Sequence, residues 1–149
     1  MNKPIAFLAG YSGQRPSVLL ARAEELNALV LDVRFKPRSK QSGWNEYELL
    51  RSFPVRRYAW WGHWWGNKNF ATGSGFDLPD YEKGLEILEA KLARIPYDSI
   101  ILLCACRGET ECHRGYLGKL LREAGYTVRP LVWHPKPVVE PAQKELVLL

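Results

Sequence analysis

Five short apolar runs alternate with four segments of helical period along this chain, and that alternation constrains the fold more than any other feature. Residues 5–9 (IAFLA) read as a buried strand ended by Gly10. Pro16 suits the first turn of a helix, and Leu19, Leu20, Ala23 and Leu26 keep helical spacing behind it. Residues 28–33 (ALVLDV) are the next apolar run. A strand–helix–strand unit this short predicts a parallel pair with a right-handed crossover. Residues 35–43 (FKPRSKQSG) form a basic loop, 44–53 a short helix and 57–61 a third strand, while 63–76 show no periodicity and read as a long loop. Asp77 is placed to cap a helix, with Pro79 and Asp80 in its first turn; Tyr81, Leu85, Leu88 and Leu92 follow, and Pro96 stops it. Residues 99–105 are the most strand-like run. Thr110 then caps a helix carrying Tyr116, Leu117, Leu120, Leu121 and Ala124, Gly125 closes it, and residues 127–133 are the last strand.

The expected architecture is therefore α/β: a single domain with a mainly parallel sheet of about five strands and helices on both faces. At 149 residues the chain has the usual size of one domain, and no internal repeat is visible. The domain is expected to span residues 1–133, with 134–149 a proline-rich exit (HPKPVVEP) and an apolar tail (KELVLL). No apolar run approaches the roughly 18–20 residues that span a bilayer, so no membrane partner is expected. The N-terminal apolar run turns straight into Gly-Tyr-Ser-Gly, as a first strand does and a signal peptide does not.

All three cysteines fall between Cys104 and Cys112. An odd, clustered set is no disulfide framework and points to a reducing, cytoplasmic compartment. The net charge is +5, and it is local: between Arg34 and Lys68 eight Lys/Arg face only Glu46 and Glu48. Such a segment either meets an anionic partner or forms a solvated face.

In an open parallel sheet, ligands bind outside the carboxyl ends of the strands. Three conspicuous loops follow strands: Gly10-Tyr11-Ser12-Gly13, residues 32–38 and residues 104–114. Cys112, His113 and Arg114 fall in the first turn of a helix, where free N–H groups and the positive dipole end favour an anion. Arg114 adds a forked, permanent charge. A thiol in that setting is a nucleophile when its pKa is lowered, whereas Cys104, closing an apolar run, also fits as a small buried hydrophobe. Asp32 is either an acid–base group or half of a structural ion pair with an arginine such as Arg114; Arg34 and Arg38 face solvent or a bound anion. The C-x-C-x5-C-H spacing from Cys104 to His113 lacks the paired knuckles of a zinc site, and no metal or other cofactor is expected. The segment YAWWGHWWG holds four of the six tryptophans, suited to a core or dimer interface, or to stacking on bases.

GYSG, then DVR with Pro37-Arg38-Ser39, then a Tyr-containing strand, then LLC-x7-CHR resemble family 488 of the domains of unknown function across residues 5–133. The resemblance implies an α/β fold, and the matching positions are Tyr11, Ser12, Asp32, Arg34, Arg38, Cys104, Cys112, His113 and Arg114. The chain departs from that pattern at Cys106, where the family carries an acid, and at Trp-Trp-Gly, where it carries Leu-Gly-Gly. A fainter similarity in layout is to rhodaneses. They too place Asp-Val-Arg after an early strand, and a cysteine before a helix N-terminus that holds an anionic sulfur group.

Three functions follow as expectations. The first is binding of an anion (phosphate, nucleotide or nucleic-acid backbone), with Tyr11, Ser12, Arg34, Arg38 and Arg114 as ligand residues. The second is a cysteine-dependent enzyme of rhodanese-like sulfur transfer through a persulfide on Cys104 or Cys106, with a Cys112 thiolate as the variant and His113 and Asp32 as the other catalytic residues. The third is a homo-oligomerising or partner-binding module with a structural Cys-His-Arg loop.

Overall fold

A computed structural model of the chain describes residues 3–72, 75–105 and 113–135. Thr110, Cys106, Cys112 and the KELVLL tail lie outside the described residues. The element order is β1 (Ile5–Gly10), α1 (Pro16–Glu25), β2 (Ala28–Asp32), α2 (Glu46–Ser52), β3 (Tyr58–Trp60), α3 (Gly62–Trp65), α4 (Tyr81–Arg94), β4 (Ser99–Cys104), α5 (His113–Glu123) and β5 (Val128–Pro130). The strands form one all-parallel sheet in the order β3-β2-β4-β1-β5. The α/β fold with a five-stranded parallel sheet is thus present as the alternation required.

The sheet is covered on both faces because its side chains alternate between two cores. Ala6, Leu8, Leu29, Leu31, Ile100, Leu102 and Cys104 face one layer, where Leu88 of α4 and Leu117 and Leu121 of α5 pack. Ala9, Ala28, Val30, Ile101 and Leu103 face the other, against Leu19 and Ala23 of α1 and Leu49 of α2. Each fully buried Leu or Ile contributes about 1.5–3 kcal/mol relative to exposure.

The structure differs from the sequence expectation at several points. β1 and β2 are parallel but not neighbours, because β4 lies between them. All six residues of β4 are buried, and a strand without a polar face is stable only with pairing on both edges and cover on both faces. The long loop after β3 begins with a single helical turn, α3. Helix α4 is capped by Asp80, not Asp77: Asp80 Oδ1 accepts from the Lys83 amide at 3.1 Å. Helix α2 starts at a capping box of Asn45 and Glu48, the Asn-x-x-Glu spacing that such a box needs. The last strand stops at Pro130, which sits on the open edge of the sheet where a missing N–H costs no ladder bond, and the Leu131 amide still donates to Leu8 O at 2.8 Å. Gly125 does close α5: its φ of +95° is the left-handed turn that ends a helix, and the Tyr126 amide reaches back to Leu121 O at 2.9 Å.

Candidate functional site

The connections place a crevice. Helix α1 leaves β1 on the Leu19 face toward β2, and α5 leaves the neighbouring β4 on the opposite face toward β5. The carboxyl ends of β1 and β4, where Gly10 pairs with Cys104, are therefore a topological switch point. The Tyr11-Ser12 turn, the end of β2 and the start of α5 all converge there.

On the α1 side Asp32 is wholly buried under four donors. Arg34 Nε reaches Oδ1 at 2.8 Å, Arg34 Nη2 reaches Oδ2 at 2.6 Å, the Arg34 amide reaches Oδ1 at 3.2 Å, and the Tyr58 hydroxyl donates to Oδ2. The carboxylate's ion-pair partner is Arg34 rather than Arg114. Arg34 is buried and does not face solvent, one of the two positions expected of it, because this bidentate pair draws it in. The face of its guanidinium lies over the Tyr11 ring at 5.3 Å. Burial disfavours the Arg34 charge, but the bonds to Asp32 and its negative charge outweigh that and raise the pKa. Burial, and next Asp32, push the Tyr58 hydroxyl up as well, so it stays a donor. Nη1 of Arg34 is buried and makes no hydrogen bond among the described residues. An acid–base role for Asp32 needs an oxygen open to a ligand, and here both oxygens are taken.

On the α5 side Cys104 Sγ lies 3.5 Å from His113 Nδ1, and His113 Nε2 lies 2.7 Å from Val33 O. A carbonyl can only accept, so Nε2 carries the proton and Nδ1 keeps its lone pair toward the thiol. Both side chains are buried. Burial, followed by the charge of Arg114, lowers the His113 pKa against the opposing effects of Val33 O and Asp32. The His113 imidazole is therefore neutral at neutral pH. Val33 O joins the two halves of the site across the sheet edge.

Arg114 is also buried, and it lines an open cavity of about 260 Å³ together with Gly10, Ser12, Gln14, Leu131 and Trp133. Arg114 is the only charged side chain among the described residues lining it. Arg38 stands apart. It is exposed on the β2–α2 loop, and its side chain makes no hydrogen bond or ion pair among the described residues.

No family model, curated protein or solved structure matches this chain.

The tryptophans serve the frame of the site. Trp61 and Trp65 are buried and donate to Gly84 O and Tyr81 O of α4. Trp60 donates to Arg34 O at 2.8 Å. Gly62 is required beside it, since a Cβ there would stand 1.9 Å from the same carbonyl oxygen. Trp44 stacks on Tyr11 at 4.6 Å and donates to Gln14 O. Tyr58 and Trp44 are site-building residues that sequence reasoning passed over; the one available signal was Tyr58 opening a short strand next to β2.

Proposed function

We propose that the chain binds a phosphate-type anion, free or as part of a nucleotide or nucleic acid, at the switch point between β1 and β4. One observation carries this reading: a buried arginine, Arg114, in the first turn of α5, lines an open cavity of about 260 Å³ together with Ser12 and Gln14. Backbone N–H groups of a first helical turn favour an anion, and a guanidinium grips its oxygens in pairs. Ser12, whose side chain carries a hydroxyl, lines the same cavity. The Asp32–Arg34–Tyr58 network holds the turns that shape the crevice, and the free Nη1 of Arg34 is a reserve donor beneath them.

Calorimetric titration with inorganic phosphate and with a nucleoside monophosphate at low salt tests this. Wild type is expected to bind at least one of them and Arg114→Gln to lose binding while keeping the native circular dichroism spectrum. No heat with either ligand sinks the reading.

A second reading is favoured by the Cys104–His113 couple. An imidazole whose other nitrogen is locked on a carbonyl is the arrangement that takes a proton from a nucleophile. In sulfur transfer, the Cys104 thiolate attacks the outer sulfur of thiosulfate, releases sulfite and becomes a persulfide, from which cyanide removes thiocyanate. Intact mass after thiosulfate should then show the gain of one sulfur atom, lost on cyanide treatment and absent in Cys104→Ser. An unchanged mass removes this reading.

A further inference from the structure

Of the tryptophans that suggested base stacking, Trp61 and Trp65 are buried and Trp60 and Trp64 half-buried, but three other large side chains stand exposed at the same edge of the sheet. Phe70 is 54% exposed, Phe76 40% and Tyr116 36%. Phe76 and Tyr116 stack with centroids 5.0 Å apart and planes 13° from parallel. Phe70 lies 6.2 Å from Phe35, and Lys36 Nζ stands 5.9 Å from its centroid. One loop carries Phe70 and Phe76. It is pinned at its base by Asn67, whose Oδ1 accepts from the amides of Asn69 and Asp77 and whose Nδ2 donates to Gly75 O. The loop thus reaches from the β2–α2 loop at Phe35 to α5 at Tyr116.

The company of these rings decides what fits them. Lys36, Arg38, Lys40 and Lys68 are exposed on the two loops, with Asp77 the acidic neighbour, 4.0 Å from Lys68. Apolar protein interfaces are poor in lysine at their centres. Exposed rings interleaved with cations suit a polymer that is negatively charged and offers flat π faces.

We propose that this edge binds single-stranded nucleic acid. Bases stack on Phe70 and on the Phe76–Tyr116 pair, phosphates meet Lys36, Arg38 and Lys68, and one phosphate is seated at Arg114. The proposal rests on the anion reading of Arg114, and it adds the ligand class.

The test is fluorescence anisotropy with a labelled single-stranded oligonucleotide of about 10 nucleotides, within the site sizes such surfaces cover. The same sequence as a duplex and titrations of inorganic phosphate run beside it. The single strand is expected to bind more tightly than the duplex, whose bases are already stacked on one another. Phe70→Ala and Tyr116→Ala should each weaken it roughly five- to hundredfold, with phosphate binding unchanged, and Phe70→Trp should retain it. Lys36→Gln should reduce the log–log salt slope by about 0.7. Phosphate binding without oligonucleotide binding overturns this inference and leaves the anion reading standing; so does equal affinity for the duplex, or indifference to the ring substitutions. Loss of binding to both ligands in Arg114→Gln, with ring variants affecting only the oligonucleotide, supports both.

Discussion

At the scale of residues, the buried ion pair of Asp32 and Arg34 decides how the end of β2 is built. A carboxylate with no access to water must keep all its donors, and a guanidinium beside it must keep its counter-charge. Asp32→Asn is therefore expected to lower unfolding free energy by about 3–5 kcal/mol. Asp32→Leu combined with Arg34→Met should recover much of that, because no charge is then stranded. Urea unfolding of the single and double variants checks both; a double variant worse than Asp32→Asn would refute the account. His113 gives a pH dependence. Its folded pKa lies below the ordinary 6.5, by burial and then by Arg114, so the unfolded chain binds more protons as pH falls through that value. Stability from this group is complete above about pH 6.5 and declines below it. Melting temperature should drop between pH 7 and 5, with a smaller drop in His113→Asn. Glu48, lowered chiefly by its hydrogen bond to Asn45, acts only in the window below 4.5.

At the scale of elements, the turn of α3 is what a reading of periodicity misses. Four residues are too few to show a 3.6-residue repeat, and its geometry is set by indole N–H bonds to α4 and to Arg34 O. Gly62 is where this turn meets the β2 end. Gly62→Ala forces a methyl into the Arg34 carbonyl, which should cost about 1–3 kcal/mol as overpacking does. Heteronuclear NMR should show the largest shifts at Arg34 and Trp60, although neither is substituted. A spectrum unchanged at Arg34 would show that the close approach is not needed. The cap of α4 carries the same lesson. Asp77 and Asp80 both match a capping pattern, and only the path of the chain from Trp64, whose carbonyl accepts from the Asp80 amide, chooses between them.

For the whole molecule, the strand order predicts a gradient of stability. β4 is paired on both sides and buried throughout, while β3 and β5 are three-residue edge strands. Native-state hydrogen exchange should find Ile101, Leu102 and Leu103 opening only with global unfolding, and the β3 and β5 amides opening at lower free energy. Equal protection in β5 and β4 would contradict it. The same order creates the switch point, so the part of the fold that exchanges last is also the floor of the candidate site.

The α/β class, the five strands, the two-faced cover and the closing of α5 at Gly125 were legible in the amino-acid order, because each follows from local periodicity or from one residue's φ preference. Convergence of the Tyr11, Asp32 and Cys104 turns was legible too, since parallel strands put their carboxyl ends on one edge. Which arginine pairs with Asp32, that His113 spans from Cys104 to Val33 O, that Tyr58 completes the network and that Trp44, Trp61 and Trp65 turn inward were decided by tertiary structure alone. Those contacts join residues between 2 and 80 positions apart, and they depend on β4 entering between β1 and β2, a choice made by burial of the whole sheet and not by any stretch of it.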